Sequence, residues 1–323
     1  MVIEKIKQTI KEDYDAYRDE FKQSTRSDIR IIDSIISYIM KKKGKELRPI
    51  LCMLSARLCG IPNKETYLSA SLLEIMHVAT LVHDDIVDEA DKRRGWPTIS
   101  NMWGNKLSLL MGDFMFSKSL INMVKLNSSE SLLLLSKTAE KLSKGEILQI
   151  QQSLRKDISE DGYFRMIRDK TASLFSASCK LGALSVTNDK SKYDALFEFG
   201  QNLGMAFQMK DDLFDIYGNK KKLGKPVGYD LKKNMLTLPV IYMLKDKGII
   251  EKKVIISKLR SYGKKKDLSS ISSMVAEYGG IKYTEKKIQE YSDNAINNLK
   301  IFSNSNYKNL MVEILNFNIS RNI

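Results

Sequence analysis

Proline is scarce in this chain, with five in 323 residues, at positions 49, 62, 97, 226 and 239. The stretches between them are long enough to hold uninterrupted helices. Cysteine is scarce too: Cys52, Cys59 and Cys179 make an odd number with no Cys-x-x-Cys pair, which reads as reduced, mostly buried thiols. The two histidines, His77 and His83, lie six apart and miss the i, i+4 spacing of a helical zinc pair, so zinc is not expected. Long apolar runs are missing. "LLLL" at 132–135 is far too short to span a bilayer, and the opening "MVIEKIKQTIKEDYD" has no signal-like apolar stretch. Alternating β patterns are absent over any useful length. What remains is the expectation of a soluble, all-α, cytoplasmic protein.

What is present supports that reading. Apolar residues make up 43% of the chain, enough for a large core. In "YLSASLLEIMHVATLVHDDIVDEA" the residues Leu68, Leu72, Ile75, Met76, Ala79 and Val82 recur three and four apart. Ile288, Tyr291, Ala295, Ile296 and Leu299 form another such stripe. The more apolar stretches are apolar almost all round, as expected of helices buried in a bundle. "GIPNKET" at 60–66 reads as a helix–helix turn and "NKKKLGKPVGYD" at 219–230 as a longer polar loop. No linker or fixed-period repeat appears, so one domain over 1–323 is the simplest organisation. The formal charge of +14 invites a nucleic-acid reading, but the lysines are spread along the chain and no binding module is evident. No nucleic-acid partner is expected; the cations would also suit small polyanionic substrates.

Two acidic clusters stand out. In "LVHDDIVDEADKRRGWP" (81–97), Asp84 and Asp88 share a helix face and Asp85 sits about 100° round from Asp84. "MKDDLFDIYG" (209–218) repeats the arrangement with Asp211, Asp212 and Asp215. One such trio reads as a solvated helix end. Two, each following an apolar helix, point to carboxylates that need cations, and hard oxygen ligands of this kind select magnesium.

With these motifs in view, the chain resembles the trans-isoprenyl diphosphate synthases, whose two aspartate-rich motifs have the DDxxD form. The resemblance runs from about Gly44 to Arg321. "GKELRP" (44–49) is similar to the family's "GGKRLRP", with Lys43 and Glu46 as departures. "GEILQ" (145–149), "DKTASLF" (169–175), "GKPVGYD" (224–230) and "TLP" (237–239) match in order. Where the family commonly has a lysine two residues before the Thr of "TLP", this chain has Met235, with Lys232 and Lys233 nearby. The resemblance implies an all-α bundle around a deep central cavity, a homodimer, and a prenyltransferase that joins isopentenyl diphosphate to an allylic diphosphate. Magnesium would assist ionisation, with up to three ions and manganese as an alternative.

By the same resemblance, Asp84, Asp85, Asp88, Asp211, Asp212 and Asp215 ligate the metal. Arg93, Lys170, Thr171, Gln208 and Lys225 hold the allylic diphosphate. Lys45, Arg48, His77 and Arg94 hold isopentenyl diphosphate. The residues themselves add that Arg48, preceding Pro49, is biased towards extended backbone, while Pro49 suits a first helical turn. Lys45 and Arg48 would then sit at a helix N-terminus, where a phosphate is favourable. His83 reads as a core histidine bonded to a carbonyl. "DKRRG" taken alone reads as a basic helix cap.

Product length is argued from the helix before Asp84. Ala79 and Thr80 are small where short-chain members place aromatics, and Met76, a further turn of about 5.4 Å down, is flexible. The expected product is a long all-trans polyprenyl diphosphate of about octaprenyl length, as for a quinone side chain, with peripheral membrane contact for its release. Geranylgeranyl or farnesyl diphosphate is the alternative product. A class I terpene cyclase and a non-catalytic synthase subunit are the alternative functions.

Overall fold

The computed structural model describes residues 2–41, 44–93, 95–155, 159–217, 235–265 and 268–319. The chain opens with α1 (Val2–Thr9), α2 (Lys11–Thr25) and α3 (Arg30–Lys41), followed by α4 (Leu47–Cys59) and α5 (Lys64–Val87). A two-residue antiparallel pair follows, β1 (Lys92–Arg93) with β2 (Trp96–Pro97), turned through Gly95 at φ 82°. Then come α6 (Ile99–Trp103), α7 (Asn105–Lys125), α8 (Ser129–Arg155) and α9 (Glu160–Ile167). Arg168–Ala172 form a single π-helical turn that runs directly into α10 (Ser173–Leu184). The remainder is α11 (Lys190–Tyr217), α12 (Leu238–Leu244), α13 (Ile249–Lys265), α14 (Leu268–Glu277), α15 (Gly280–Asn298) and α16 (Asn306–Ile319).

The all-α expectation holds, with the small hairpin as its one addition among the described residues. The sequence-derived stripe on α5 is the face that packs: Leu68, Leu72, Ile75, Met76, Ala79 and Val82 are all buried. Asn63 starts this helix by accepting from the Glu65 and Thr66 amides, while Thr66 Oγ1 accepts from the Asn63 amide. That capping box explains why "GIPNKET" is a turn. The loop expected at 219–230 lies outside the described residues.

The main core joins α1 and α2 to α4, α5, α7, α10 and α11 through Ile6, Tyr17, Ile50, Leu72, Met111, Phe175 and Phe199. A second cluster, with Tyr163, Ile167, Met205, Met209 and Leu213, lies beneath the π-turn and α11. The helices cross closely because glycines stand at the crossings. A Cβ at Gly182 would lie 2.0 Å from the Cys52 carbonyl oxygen, and one at Gly200 2.5 Å from that of Phe175. Cys52 and Cys179 are buried and Cys59 half-buried, and burial pushes all three thiols up, Cys179 to about 12.

One expectation fails. Helices apolar all round were expected to be buried all round, but α7 keeps only one side inside, with Met111, Met115 and Met123. Leu109, Leu110, Leu120, Ile121 and Val124 on its other side are exposed. The sequence pattern could not separate a face buried within the chain from one left open. Among the described residues no helix is long and apolar enough to cross a membrane.

Candidate active site

The acidic trios sit where expected, at the C-terminal ends of α5 and α11, and in each the middle aspartate is the most enclosed. Asp85 is 7% exposed and Asp212 5%, whereas Asp84, Asp88, Asp211 and Asp215 are half-buried. The hairpin after α5 turns Arg93 back, and its Nε donates to Asp85 Oδ1 at 2.6 Å. The hairpin thus lays Arg93 against the first trio, where it pairs with a carboxylate side chain.

On α11, Asp212 accepts from the Tyr163 hydroxyl at 2.5 Å and from Gln208 Nε2 at 2.8 Å. Burial pushes the Asp212 carboxyl up to about 7; those two hydrogen bonds oppose the shift, while neighbouring Asp211 and Asp215 add to it. Asp84 is pushed up to about 6, again chiefly by burial, with Lys170 and Arg93 pulling it down and Glu146 and Asp88 pushing it up. Both carboxylates therefore sit where a cation would be welcome. Among the described residues, however, no three such groups converge into a metal-binding cluster.

The two trios are connected through the π-turn. Lys170 Nζ pairs with Glu146 and donates to Gln149 Oε1 at 3.0 Å, and its charge reaches Asp84. Thr171, the next residue, donates to Gln208 Oε1 at 2.8 Å, and Gln208 in turn donates to Asp212. Two neighbours on one turn thus serve the two trios: Lys170 acts on Asp84 by its charge, and Thr171 is hydrogen-bonded through Gln208 to Asp212.

The π-turn is clamped by two glycines. A Cβ at Gly145 on α8 would lie 2.5 Å from the Lys170 amide nitrogen, and one at Gly204 on α11 2.5 Å from the Ala172 Cα. The "GEILQ" segment now has a physical sense. Gly145 admits the backbone, while Glu146 and Gln149 hold the Lys170 ammonium. Sequence reasoning gave these three residues no roles; Tyr163 it did not single out at all.

The expected isopentenyl diphosphate residues are less closely gathered. Arg48 stacks its guanidinium 4.8 Å from the Phe175 ring centroid, and the Lys45 ammonium lies 4.8 Å from that of Phe317. Pro49 is in the first turn of α4 as expected. Arg48 is helical and not extended, because α4 starts at Leu47 and the left-handed residue lies before it, at Glu46 (φ 51°, ψ 42°). His77 is half-buried on α5, with its carbonyl accepting from Thr80 Oγ1 at 2.8 Å. His83 faces α7 over Gly112, its Nε2 lying 3.3 Å from Asp113 Oδ1 and 3.4 Å from the Leu109 carbonyl oxygen. The carbonyl contact is the one expected of it, but the imidazole is partly exposed and not in the core. Met76 and Ala79 are buried, Thr80 and Met235 half-buried. Arg94, Lys225, Lys232 and Lys233 lie outside the described residues.

Comparison with known proteins decides the family. A model described as polyprenyl synthetase matches residues 29–277. The chain belongs to the polyprenyl synthetase family. It is similar to heptaprenyl diphosphate synthase component 2 of Geobacillus stearothermophilus, 37% identical over 240 residues, which cover 74% of this chain and 75% of the other. It is also similar to octaprenyl diphosphate synthase of Escherichia coli (strain K12), 30% identical over 321 residues and 99% of each chain. Among solved structures, a polyprenyl synthase from Caulobacter crescentus CB15, complexed with calcium and isoprenyl diphosphate, superposes with a TM-score of 0.90. It is 30% identical, covering 99% of this chain and 98% of that one. This polyprenyl synthetase is accordingly a prenyltransferase with the isoprenoid synthase helical fold, and the family's reaction depends on a divalent metal.

Proposed function

We propose that this enzyme condenses isopentenyl diphosphate with an allylic diphosphate to give a long-chain all-trans polyprenyl diphosphate, working as one domain over 1–323. The observation that carries the reading is the π-turn: the Lys170 charge acts on Asp84, and Thr171 beside it is hydrogen-bonded through Gln208 to Asp212, so one cationic turn serves both acidic trios. Magnesium is the proposed ion: the donors are carboxylates, two of them disfavoured as anions by burial. Bound there, it would neutralise charge on the departing diphosphate. Asp84, Asp88, Asp211 and Asp215, the less enclosed members, would meet the ions, with Asp85 and Asp212 anchoring each group through Arg93, Tyr163 and Gln208. Because the described carboxylates do not close on an ion by themselves, diphosphate oxygens and water would complete the coordination.

Lys170, Arg93, Thr171 and Gln208, with Lys225 from outside the described residues, would grip the allylic diphosphate. They place fixed positive charge where negative charge develops as the C–O bond breaks. Lys45, Arg48, His77 and Arg94 would hold isopentenyl diphosphate. No side-chain base is assigned for the final proton loss; the released diphosphate takes it. The long product is supported by the small Ala79 and Thr80 above the flexible Met76, and by the heptaprenyl and octaprenyl names of the similar synthases.

The aliphatic stripe on α7, continued by Leu132 and Leu133 at the start of α8, supports a second copy of this chain as its cover. The similarity to a protein named as a component favours a second reading, in which a different subunit takes that place. The test is incubation of the purified chain with magnesium, isopentenyl diphosphate and farnesyl diphosphate, followed by product-length analysis. Long products that vanish in Asp84→Ala and Asp211→Ala are expected. Activity near normal in either variant overturns the metal assignment, and an inactive chain restored by a second protein would favour the two-component reading.

A further inference from the structure

Glu46 is a departure from the family's segment, and it has an uncommon environment. It is 9% exposed, in left-handed backbone, between two cations assigned to one substrate. A non-glycine residue is seldom left in that conformation without something to hold it. Four side chains from the first two helices do so. Lys7 Nζ donates to Oε2 at 2.7 Å and the Tyr14 hydroxyl to the same oxygen. Arg18 Nη1 donates to Oε1 at 3.0 Å, and Tyr17, wholly buried, reaches it at 3.3 Å. Burial alone would raise the Glu46 carboxyl, but these bonds outweigh it and hold it below the usual range.

The second of these helices also grips the far end of α4. Arg57 donates to both oxygens of Asp13 at 2.8 and 2.9 Å, and Tyr67 adds a third bond to Asp13 at 2.9 Å. The helix that begins with the Lys45–Arg48 segment is therefore fastened at its start to α1 and α2 and at its end to α2; both lie outside the residues matched by the family model.

A buried Lys–Glu pair is a poor way to gain stability, since apolar side chains of similar volume do as well or better. What an apolar residue could not do is fix the backbone at a chosen left-handed point from four directions. We infer that Glu46 is a positioning residue for isopentenyl diphosphate: α1 and α2, acting through its carboxylate, set the backbone from which Lys45 and Arg48 reach the substrate. The inference rests on the proposal that those two cations bind that substrate.

Charge and position predict opposite signs, which makes the test sharp. Glu46→Gln removes a negative charge beside a diphosphate site, so simple electrostatics would tighten substrate binding. Positioning predicts the reverse. The apparent KM for isopentenyl diphosphate should rise about tenfold, as expected when a charge-assisted set of bonds is weakened, with the allylic KM and saturated kcat near normal. Glu46→Gly relieves the backbone strain while losing the carboxylate, and should behave like Glu46→Gln. Lys7→Met, which leaves the active-site segment untouched, should show the same KM effect in weaker form. Each is assayed well below its own unfolding temperature.

An unchanged or lowered isopentenyl KM in Glu46→Gln overturns the inference, as does a Glu46→Gly variant that behaves as wild type. Arg48→Ala, run alongside, separates the two claims. If it raises the isopentenyl KM while Glu46→Gln does not, only the positioning role fails. If Arg48→Ala has no effect on that KM, the substrate assignment itself is wrong.

Discussion

Adding a single methyl group at Gly145 should cost far more activity than stability. A Cβ there would stand 2.5 Å from the Lys170 nitrogen, 2.7 Å from its Cα and 2.8 Å from its Cβ. Carbon atoms prefer separations of about 3.5–4.0 Å, so α8 and the π-turn must part by roughly 1 Å. The opposing contacts are largely backbone, so no rotamer change can absorb the shift. Overpacking of this kind costs about 1–3 kcal/mol, while replacing glycine by alanine within a helix returns up to about 1 kcal/mol. The net loss is about 1 kcal/mol, and a domain of this size would lose no more than roughly 4 °C in Tm. Lys170, however, moves with the turn, and a displacement of about 1 Å in a positioning group can cost on the order of 100-fold in rate. Gly145→Ala should therefore melt nearly as wild type while kcat/KM for the allylic substrate falls by one to two orders of magnitude, about, with a smaller effect on isopentenyl diphosphate. Lys144→Ala, one residue earlier and exposed, serves as the control and should be silent. Near-normal kcat/KM in Gly145→Ala would refute the close-approach argument. A loss of activity that merely tracked unfolding would refute the claim that the turn is what moves.

Ala79→Tyr should shorten the product sharply while elongation continues; an unchanged product distribution would show that the chain does not pass this face of α5. Leu120→Glu combined with Val124→Glu should convert the proposed dimer to monomer by light scattering; a wild-type mass already that of a monomer would refute the dimer, and a dimer mass unchanged in the variant would remove α7 from the interface. Asp84, near 6, and Asp212, near 7, are held above the unfolded carboxylate value of about 4, so the folded state binds more protons across that window. Stability of the metal-free protein should thus fall as pH rises from about 4 to about 7, and added magnesium should raise Tm more at pH 8 than at pH 5, on the order of a few degrees. A Tm of chelated protein that rises across the same window would contradict the assigned shifts.

The chemistry of the site was more legible in the sequence than its mechanics. The α5 stripe and both acidic trios could be read because helical spacing places such residues on one face without help from elsewhere. The Lys170–Thr171 pair was found only by likeness to a family motif, since the turn that presents it is π-helical and residue preferences carry no signal for that geometry. Glu146 and Gln149 lie more than twenty residues before Lys170, so their contact with it exists only after α8 and α9 fold back, about two long-range elements away. Arg48 was expected to be extended because of Pro49. Packing of α4 made it helical, and the break moved to Glu46, whose holders lie on α1 and α2. The open face of α7 stayed hidden for a simple reason: a helix apolar on both sides looks the same whether its second neighbour is the same chain or another.

The glycine clamp on the π-turn has a mechanical consequence. Ordinary helix contacts are cushioned, because side chains can change rotamer and absorb small strains. At Gly145 and Gly204 main chain bears on main chain, and that joint has no such give. Ile147 and Ile150 on the outer side of α8 are exposed within a turn or so of Glu146 and Gln149. A push on those two side chains would reach Lys170 through main-chain contact at Gly145, with no rotamer between them to absorb it.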